Sequence, residues 1–305
     1  MKKDLLTLRD VNADDCEALF VRSFELKKRH ASGIADRTFQ GKTLGLIFDK
    51  PSTRTRVSFE AAMAQLGGTS LFLNAQDTQL IRNEPIDDTG RVLSRYLDGV
   101  VVRTYSQDLL EELAAAASIP VINGLTDLYH PCQVLSDLMT ILEKRGKLEG
   151  LKIVWVGDGN NVAHSWLNAA AILPLNLVIA CPEGYQPDEA ILAAAVKDTK
   201  GRIIVLSDPA EAVRDADVIY TDVWASMGHE SEHALRKKIF KPYQVSQGLL
   251  AMAKQDVMVM HCLPAHRGEE IAADVLVGAH SVVWDQAENK LHMHKAILER
   301  FMTDN

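Results

Sequence analysis

Apolar residues follow two rhythms along this chain. Short unbroken runs, such as those at 43–48, 100–102, 151–157 and 218–221, have the character of strands buried on both faces. Between them, apolar positions recur every three or four residues, the spacing of an amphipathic helix. The first helix is expected over 12–30, with Asn12 as its cap and Ala18, Leu19, Val21, Phe24 and Leu26 on the inner side. A strand at 43–48 turns at Asp49-Lys50-Pro51 into a second helix that presents Phe59, Ala62, Met63 and Leu66 on one face and stops at Gly67-Gly68. Further strands are expected at 69–74, 100–103, 120–123, 151–157, 176–180, 202–206, 257–260 and 281–284. Helices are expected at 89–97, 107–117, 131–145 and 286–302, with Pro131 at a first helical position.

Strand–helix alternation in both halves implies an α/β chain of two domains, each a mainly parallel sheet flanked by helices. The charged, Gly-containing stretch 143–150 is the expected boundary. Residues 1–147 would form one domain, with the terminal helix 286–305 packing back on it, and 148–285 the other.

Length and composition narrow the class. A chain of 305 residues, 47% hydrophobic and 24% charged, has a sizeable core to bury. The net charge of −8 argues against a general nucleic-acid binder. Cys16, Cys132, Cys181 and Cys262 lie far apart with no CxxC pair, which suggests reduced thiols in a cytoplasmic protein. The N-terminal stretch lacks the apolar core of a signal peptide, and no apolar run reaches the ~20 residues of a membrane helix.

Chemistry concentrates beyond the carboxyl ends of strands, where α/β folds bind ligands. The first turn of the second helix holds Ser52, Thr53, Arg54, Thr55 and Arg56. Orphan backbone N–H groups, hydroxyls and guanidinium forks together make a phosphate cradle. Arg103 ends the strand at 100–103, and His130-Pro131-Cys132-Gln133 opens a helix. The second half offers Asn160-Asn161, Asp222, Ser226-Met227-Gly228 and His261-Cys262-Leu263-Pro264 at matching places. Each has a plain structural reading by itself: Ser52 as a cap, Arg103 as a surface charge, His130 as a turn residue, Cys262 as a small apolar filler. Gly157-Asp158-Gly159-Asn160-Asn161-Val162 lacks the third small residue of a dinucleotide fingerprint. A dinucleotide-dependent oxidoreductase is therefore the weaker alternative of a different class.

Taken in order, STRTR, HPCQ, DVWASMG and HCLPAHRG resemble the aspartate/ornithine carbamoyltransferase family, and its ornithine-using branch, across nearly the whole chain. The resemblance implies transfer of the carbamoyl group of carbamoyl phosphate to the side-chain amine of L-ornithine, giving L-citrulline and phosphate in arginine metabolism, arginine biosynthesis included. It implies no metal and no organic cofactor. It also implies a homotrimer or a multiple of trimers, acting in the cytoplasm without nucleic acid or membrane, with the site between the domains and at a subunit boundary. Carried over by position, Ser52, Thr53, Arg54 and Thr55 hold the phosphate. Arg103, His130 and Gln133 hold the carbamoyl end, with Pro131 and Cys132 in the same turn. Gln79, in the polar loop 75–88, reaches a neighbouring subunit's site. Asn161, Asp222, Ser226 and Met227 contact ornithine, and Cys262 and Leu263 form the other wall. Lys290 stands in AENK where the family has AENR, keeping the charge but not the bidentate fork. The catalytic set implied is Arg54, Arg103, His130, Asp222 and Cys262. A carbamoyltransferase for another amine, such as putrescine or an acylated ornithine, is the sibling alternative.

Overall fold

The computed structural model describes residues 4–74, 84–225 and 232–303. Gln79, Ser226 and Met227 lie outside the described residues. The chain divides into two compact units, Met1–Met139 with Glu288–Asn305, and Thr140–Ala287.

The first unit is built on a parallel sheet of four strands in the order β2-β1-β3-β4: β1 (Thr43–Phe48), β2 (Thr69–Asn74), β3 (Gly99–Arg103) and β4 (Val121–Leu125). Every residue of β3 is buried, as a strand covered on both faces requires. Ile47, Val100 and Val102 share one face with Leu110 and Leu113 of α4 (Gln107–Ala116). α2 (Arg54–Gln65) buries Phe59, Ala62 and Met63 completely, and its C-cap residue Leu66 is buried with them. Each such large side chain removed from water contributes roughly 1.5–3 kcal/mol. Gly67, at φ +84°, takes the left-handed conformation that stops this helix.

α1 (Ala13–Ala31) is capped by Asn12, whose side chain accepts from Asp15 N–H while the Asp15 carboxylate accepts from Asn12 N–H. Its buried stripe is Cys16, Leu19, Phe20, Ser23 and Leu26. Ala18 and Val21, expected inside, are exposed, because the stripe turns on positions 16, 19, 20, 23 and 26. α3 (Ile86–Leu93) begins and ends earlier than the expected 89–97, since Pro85 precedes its first turn and Ser94 closes it. The C-terminal part of α12 (Val283–Met302) joins this unit through side chains: Glu299 accepts both nitrogens of Arg22 at 2.5 and 3.0 Å, and Arg300 meets Asp15 at 2.6 Å.

The second unit carries a parallel sheet of five strands in the order β7-β6-β5-β8-β9: β5 (Lys152–Val156), β6 (Asn176–Ala180), β7 (Arg202–Leu206), β8 (Val218–Thr221) and β9 (Met258–His261). α5 (Pro131–Arg145) leads into it, followed by α6 (Asn161–Ile172), α7 (Glu189–Asp198), α8 (Pro209–Ala212), α9 (His233–Phe240), α10 (Gln247–Leu250) and α11 (Ala273–Leu276). On one face Val154, Val156, Ile219 and Val259 pack with Trp224, Phe240 and Tyr243. Trp155 stacks on Tyr220 at 5.2 Å, and Trp166 of α6 meets that tyrosine edge-on at 5.8 Å. The strand expected at 281–284 is reduced to one bridge between Val259 and Ser281. Gln286 N–H then donates to Val282 O at 2.8 Å, so the chain has already turned into α12.

Candidate functional site

Topology selects one point in each sheet. In the order β2-β1-β3-β4, successive connections leave β1 on opposite sides, so the crevice falls between the carboxyl ends of β1 and β3. In the second sheet the same reversal falls between β5 and β8. Ser52–Thr55 and Arg103 follow β1 and β3, Asn160-Asn161 and Asp222 follow β5 and β8, and His130–Gln133 and Cys262–Pro264 follow the next strands outward, β4 and β9.

In the first unit, Phe48 pairs with Arg103 in the β1–β3 register, so the turn after β1 starts beside that arginine. Asp49 N–H donates to Arg103 O at 2.8 Å, and the Thr104 hydroxyl donates to Asp49 Oδ2 at 3.1 Å. The turn then opens α2. Thr53 at its cap position makes no side-chain cap bond; instead Thr55 N–H donates to Ser52 Oγ at 3.3 Å. Thr55 is buried and Arg54 partly so. The first turn has no acidic residue, which leaves its positive dipole end uncompensated by its own side chains. Arg56 is differently employed: it pairs with Glu60 at 2.9 Å and lies 3.5 Å over the Phe72 ring.

Arg103 is 9% exposed and His130 4%. Burial, then the fields of Lys290, Arg103 and His294, hold the His130 imidazole well below its ordinary pKa, so it is neutral at neutral pH. A neutral imidazole donates through one nitrogen and accepts through the other. Pro131 starts α5 immediately afterwards. The Cys132 thiol is fully buried, donates to Asn123 O at 3.3 Å and is pushed up to about 12 by burial. It packs against the sheet as a neutral group. Gln133 accepts from Lys290 Nζ at 2.7 Å, and Lys290 is 5% exposed.

In the second unit, β5 ends in a turn where Gly159 lies against Gln186 and Pro187. A Cβ there would sit 2.3 Å from Pro187 N, so only glycine fits. Asn160 caps α6 through Val162 N–H and Ala163 N–H at 3.0 and 3.2 Å, and its amide donates to Asp222 Oδ2 at 3.0 Å. Asp222 follows β8 and also accepts from Val223 N–H at 2.8 Å and from the Cys262 thiol at 2.9 Å. Asn161 is the first residue of α6 and partly buried. Leu263 adopts φ +58°, a conformation costing a leucine roughly 1–3 kcal/mol. Its N–H donates to His261 Nδ1 at 2.8 Å, and His261 Nε2 meets the fully buried Glu270 at 3.0 Å, so a buried pair fixes the turn that carries Cys262.

Among the described residues, Ser52–Thr55, Arg103 and His130–Gln133 follow the carboxyl ends of β1, β3 and β4, with Lys290 joined to Gln133, and Asn161, Asp222 and Cys262-Leu263 follow those of β5, β8 and β9. The structure also shows partners the sequence reading passed over. Lys50, 4% exposed, pairs with Asp127 and lies 4.1 Å from the Tyr105 ring centroid, tying together the turns after β1, β3 and β4. His294 stacks on Phe59 at 3.7 Å and meets the Ser58 hydroxyl at 2.9 Å. Arg236 joins Asp158 to Trp224 O, both at 2.8 Å, and so links the turns after β5 and β8. Only Lys50, a lysine in a strand-end turn before proline, carried a local signal.

Two groups of metal-ligand side chains occur among the described residues: Asp222 with His261 and Cys262, and His233 with His266 and Glu269. In the first, both imidazole nitrogens of His261 already have protein partners. In the second, the Lys237 ammonium occupies Glu269 at 3.0 Å.

Residues 3–143 match the carbamoyl-P binding domain of aspartate/ornithine carbamoyltransferase, and residues 149–301 match its Asp/Orn binding domain. Ornithine carbamoyltransferase of Syntrophus aciditrophicus is 60% identical over 299 residues, covering 98% of this chain and 99% of the relative. That of Desulfotalea psychrophila is 57% identical over 302 residues, covering 99% and 100%. Among solved structures, ornithine carbamoyltransferase from Pyrococcus furiosus matches with a TM-score of 0.94 at 54% identity, covering 98% of this chain and 97% of that one.

Proposed function

Because this chain belongs to the aspartate/ornithine carbamoyltransferase family, we propose that it moves the carbamoyl group of carbamoyl phosphate to the side-chain amine of L-ornithine, with the strand-end clusters of its two units as the substrate contacts. Residues 1–147 with the C-terminal segment 286–305 take carbamoyl phosphate, and 148–285 take ornithine. The reading is carried by one observation: the hydroxyl- and arginine-bearing first turn of α2 opens beside Arg103 at the point where the first sheet reverses its order.

In the reaction the amine lone pair forms a C–N bond to the carbamoyl carbon, the C–O bond to phosphate breaks, and the amine loses a proton. Negative charge grows first on the carbonyl oxygen and then on phosphate. Arg103, the neutral His130 and the Thr55 hydroxyl supply donors to the carbonyl oxygen. Ser52, Thr53, Arg54 and the N-terminus of α2 take the phosphate, and the Gln133 amide with the Lys290 ammonium completes the contacts to carbamoyl phosphate. Donors already in place need no reorganisation when the charge develops, and each contributes about 2.7–4 kcal/mol in comparable sites. Pro131 and Cys132 contribute the backbone of their turn.

Ornithine reaches the site as an ammonium. With a lysine-like pKa of about 10.4, freeing its lone pair at pH 7 costs about 4.6 kcal/mol. Asp222 attracts the cation, Asn161 opens the helix after the neighbouring strand β5, and Cys262 and Leu263 form an apolar wall that favours the neutral amine. Ser226 and Met227 belong to the same contact set. We also propose a homotrimer, with Gln79 contributed to a neighbouring copy's site, and a cytoplasmic location, which four cysteines outside any disulfide suit. No helix among the described residues is long and apolar enough to cross a membrane.

The test is citrulline formation by the purified chain from carbamoyl phosphate and a panel of amines. Turnover with ornithine and none with putrescine or N-acetylornithine is expected. Comparable turnover with putrescine would overturn the acceptor assignment.

A further inference from the structure

Gln133 sits between a carboxylate and an ammonium. Its amide nitrogen donates to Asp137 Oδ1 at 2.8 Å, one helical turn along α5, and its amide oxygen accepts from Lys290 Nζ at 2.7 Å. Asp137 is fully buried, Gln133 is 2% exposed and Lys290 5%, so water screens neither contact. A glutamine amide by itself can present either end to a neighbour. Here a flip would set its oxygen against the carboxylate and its NH2 against the ammonium, making both contacts repulsive. The orientation is locked.

We propose that Asp137 is a positioning residue for the donor substrate. It fixes the Gln133 amide so that an acceptor faces Lys290, and it anchors that ammonium through the amide. The inference rests on Gln133 and Lys290 contacting carbamoyl phosphate. A guanidinium has a rigid fork, whereas the Lys290 ammonium ends a flexible four-carbon stem and needs an outside anchor. Asp137 touches no substrate; it acts through Gln133, whose second amide-oxygen lone pair stays directed by the same lock.

The experiment is a double-mutant cycle of Asp137→Asn and Gln133→Ala, with KM for each substrate, kcat and melting temperature measured on all four proteins. Asp137→Asn should raise KM for carbamoyl phosphate about tenfold or more, the loss typical of a charge-assisted contact, and leave KM for ornithine unchanged. In the Gln133→Ala background the same change should add nothing to that KM. Additive effects, an unmoved KM for carbamoyl phosphate, or equal shifts for both substrates alongside a lower melting temperature would overturn the proposal. If instead Gln133→Ala alone left KM for carbamoyl phosphate unchanged, the failure would lie in the assignment of Gln133 as a substrate contact. Should Asp137→Asn not fold, Asp137→Glu, which keeps the charge but moves the oxygens by one methylene, carries the test. It should raise the same KM selectively, and no rise would refute the role.

Discussion

Acidification from pH 7.5 to 5.5 should destabilise the first unit by about 4 kcal/mol through three imidazoles alone. His130, His292 and His294 are 4%, 1% and 0% exposed. Burial, reinforced by neighbouring cations, lowers all three pKa values, His292 to about 3 and the other two well below the usual range. In the unfolded chain each titrates near 6.5. Below that pH the unfolded state binds a proton that the folded state refuses, so stability is complete above about pH 6.5 and falls as pH drops. Between pH 7.5 and 5.5 each group contributes about 1.4 kcal/mol of loss, and total stabilities are only about 5–15 kcal/mol. Carboxylates add their own acid dependence, so the decisive measurement is a difference. Urea unfolding of the wild type and of His292→Gln, each at both pH values, should show the variant losing about 1.4 kcal/mol less on acidification, whatever its stability at pH 7.5. His292 lies outside the proposed substrate contacts, which keeps the comparison free of catalytic effects. Equal losses in the two proteins, within about 0.5 kcal/mol, would refute the claim that this imidazole stays neutral in the fold.

Other outcomes follow from the same structure. Arg54→Gly should lower kcat/KM by roughly 100- to 1,000-fold with little change in melting temperature; normal turnover would remove Arg54 from the phosphate site. Asp222→Asn should raise KM for ornithine about 10- to 150-fold, the loss of one charged contact, while KM for carbamoyl phosphate stays put. Turnover should climb as pH rises from 6 to 9, because the attacking amine must be neutral, and a flat profile would contradict that requirement. Phe59→Ala should cost about 3–5 kcal/mol, measured by chemical unfolding, since Phe59 is fully buried and carries the His294 stack at 3.7 Å.

The chain's local pattern determined the β–α alternation, the parallel sheets, the Asn12 cap and the stop at Gly67, because periodicity and backbone preference are properties of neighbouring residues. It also marked the clusters Ser52 to Thr55, His130 to Gln133, Asp222 and Cys262, whose residue types imply their chemistry in short motifs. Pattern misjudged the inner face of α1, where Val21 is 64% exposed, and read 281–284 as a strand where one bridge precedes a helix. Tertiary structure alone decided which groups are buried and with whom. Lys290 meets Gln133 across 157 positions, Lys50 meets Asp127 across 77, and Cys262 meets Asp222 across 40. Burial depends on which strands lie side by side. Strand order therefore decides whether an ordinary Asp137 or His294 becomes a buried partner, and no local run of sequence contains that information.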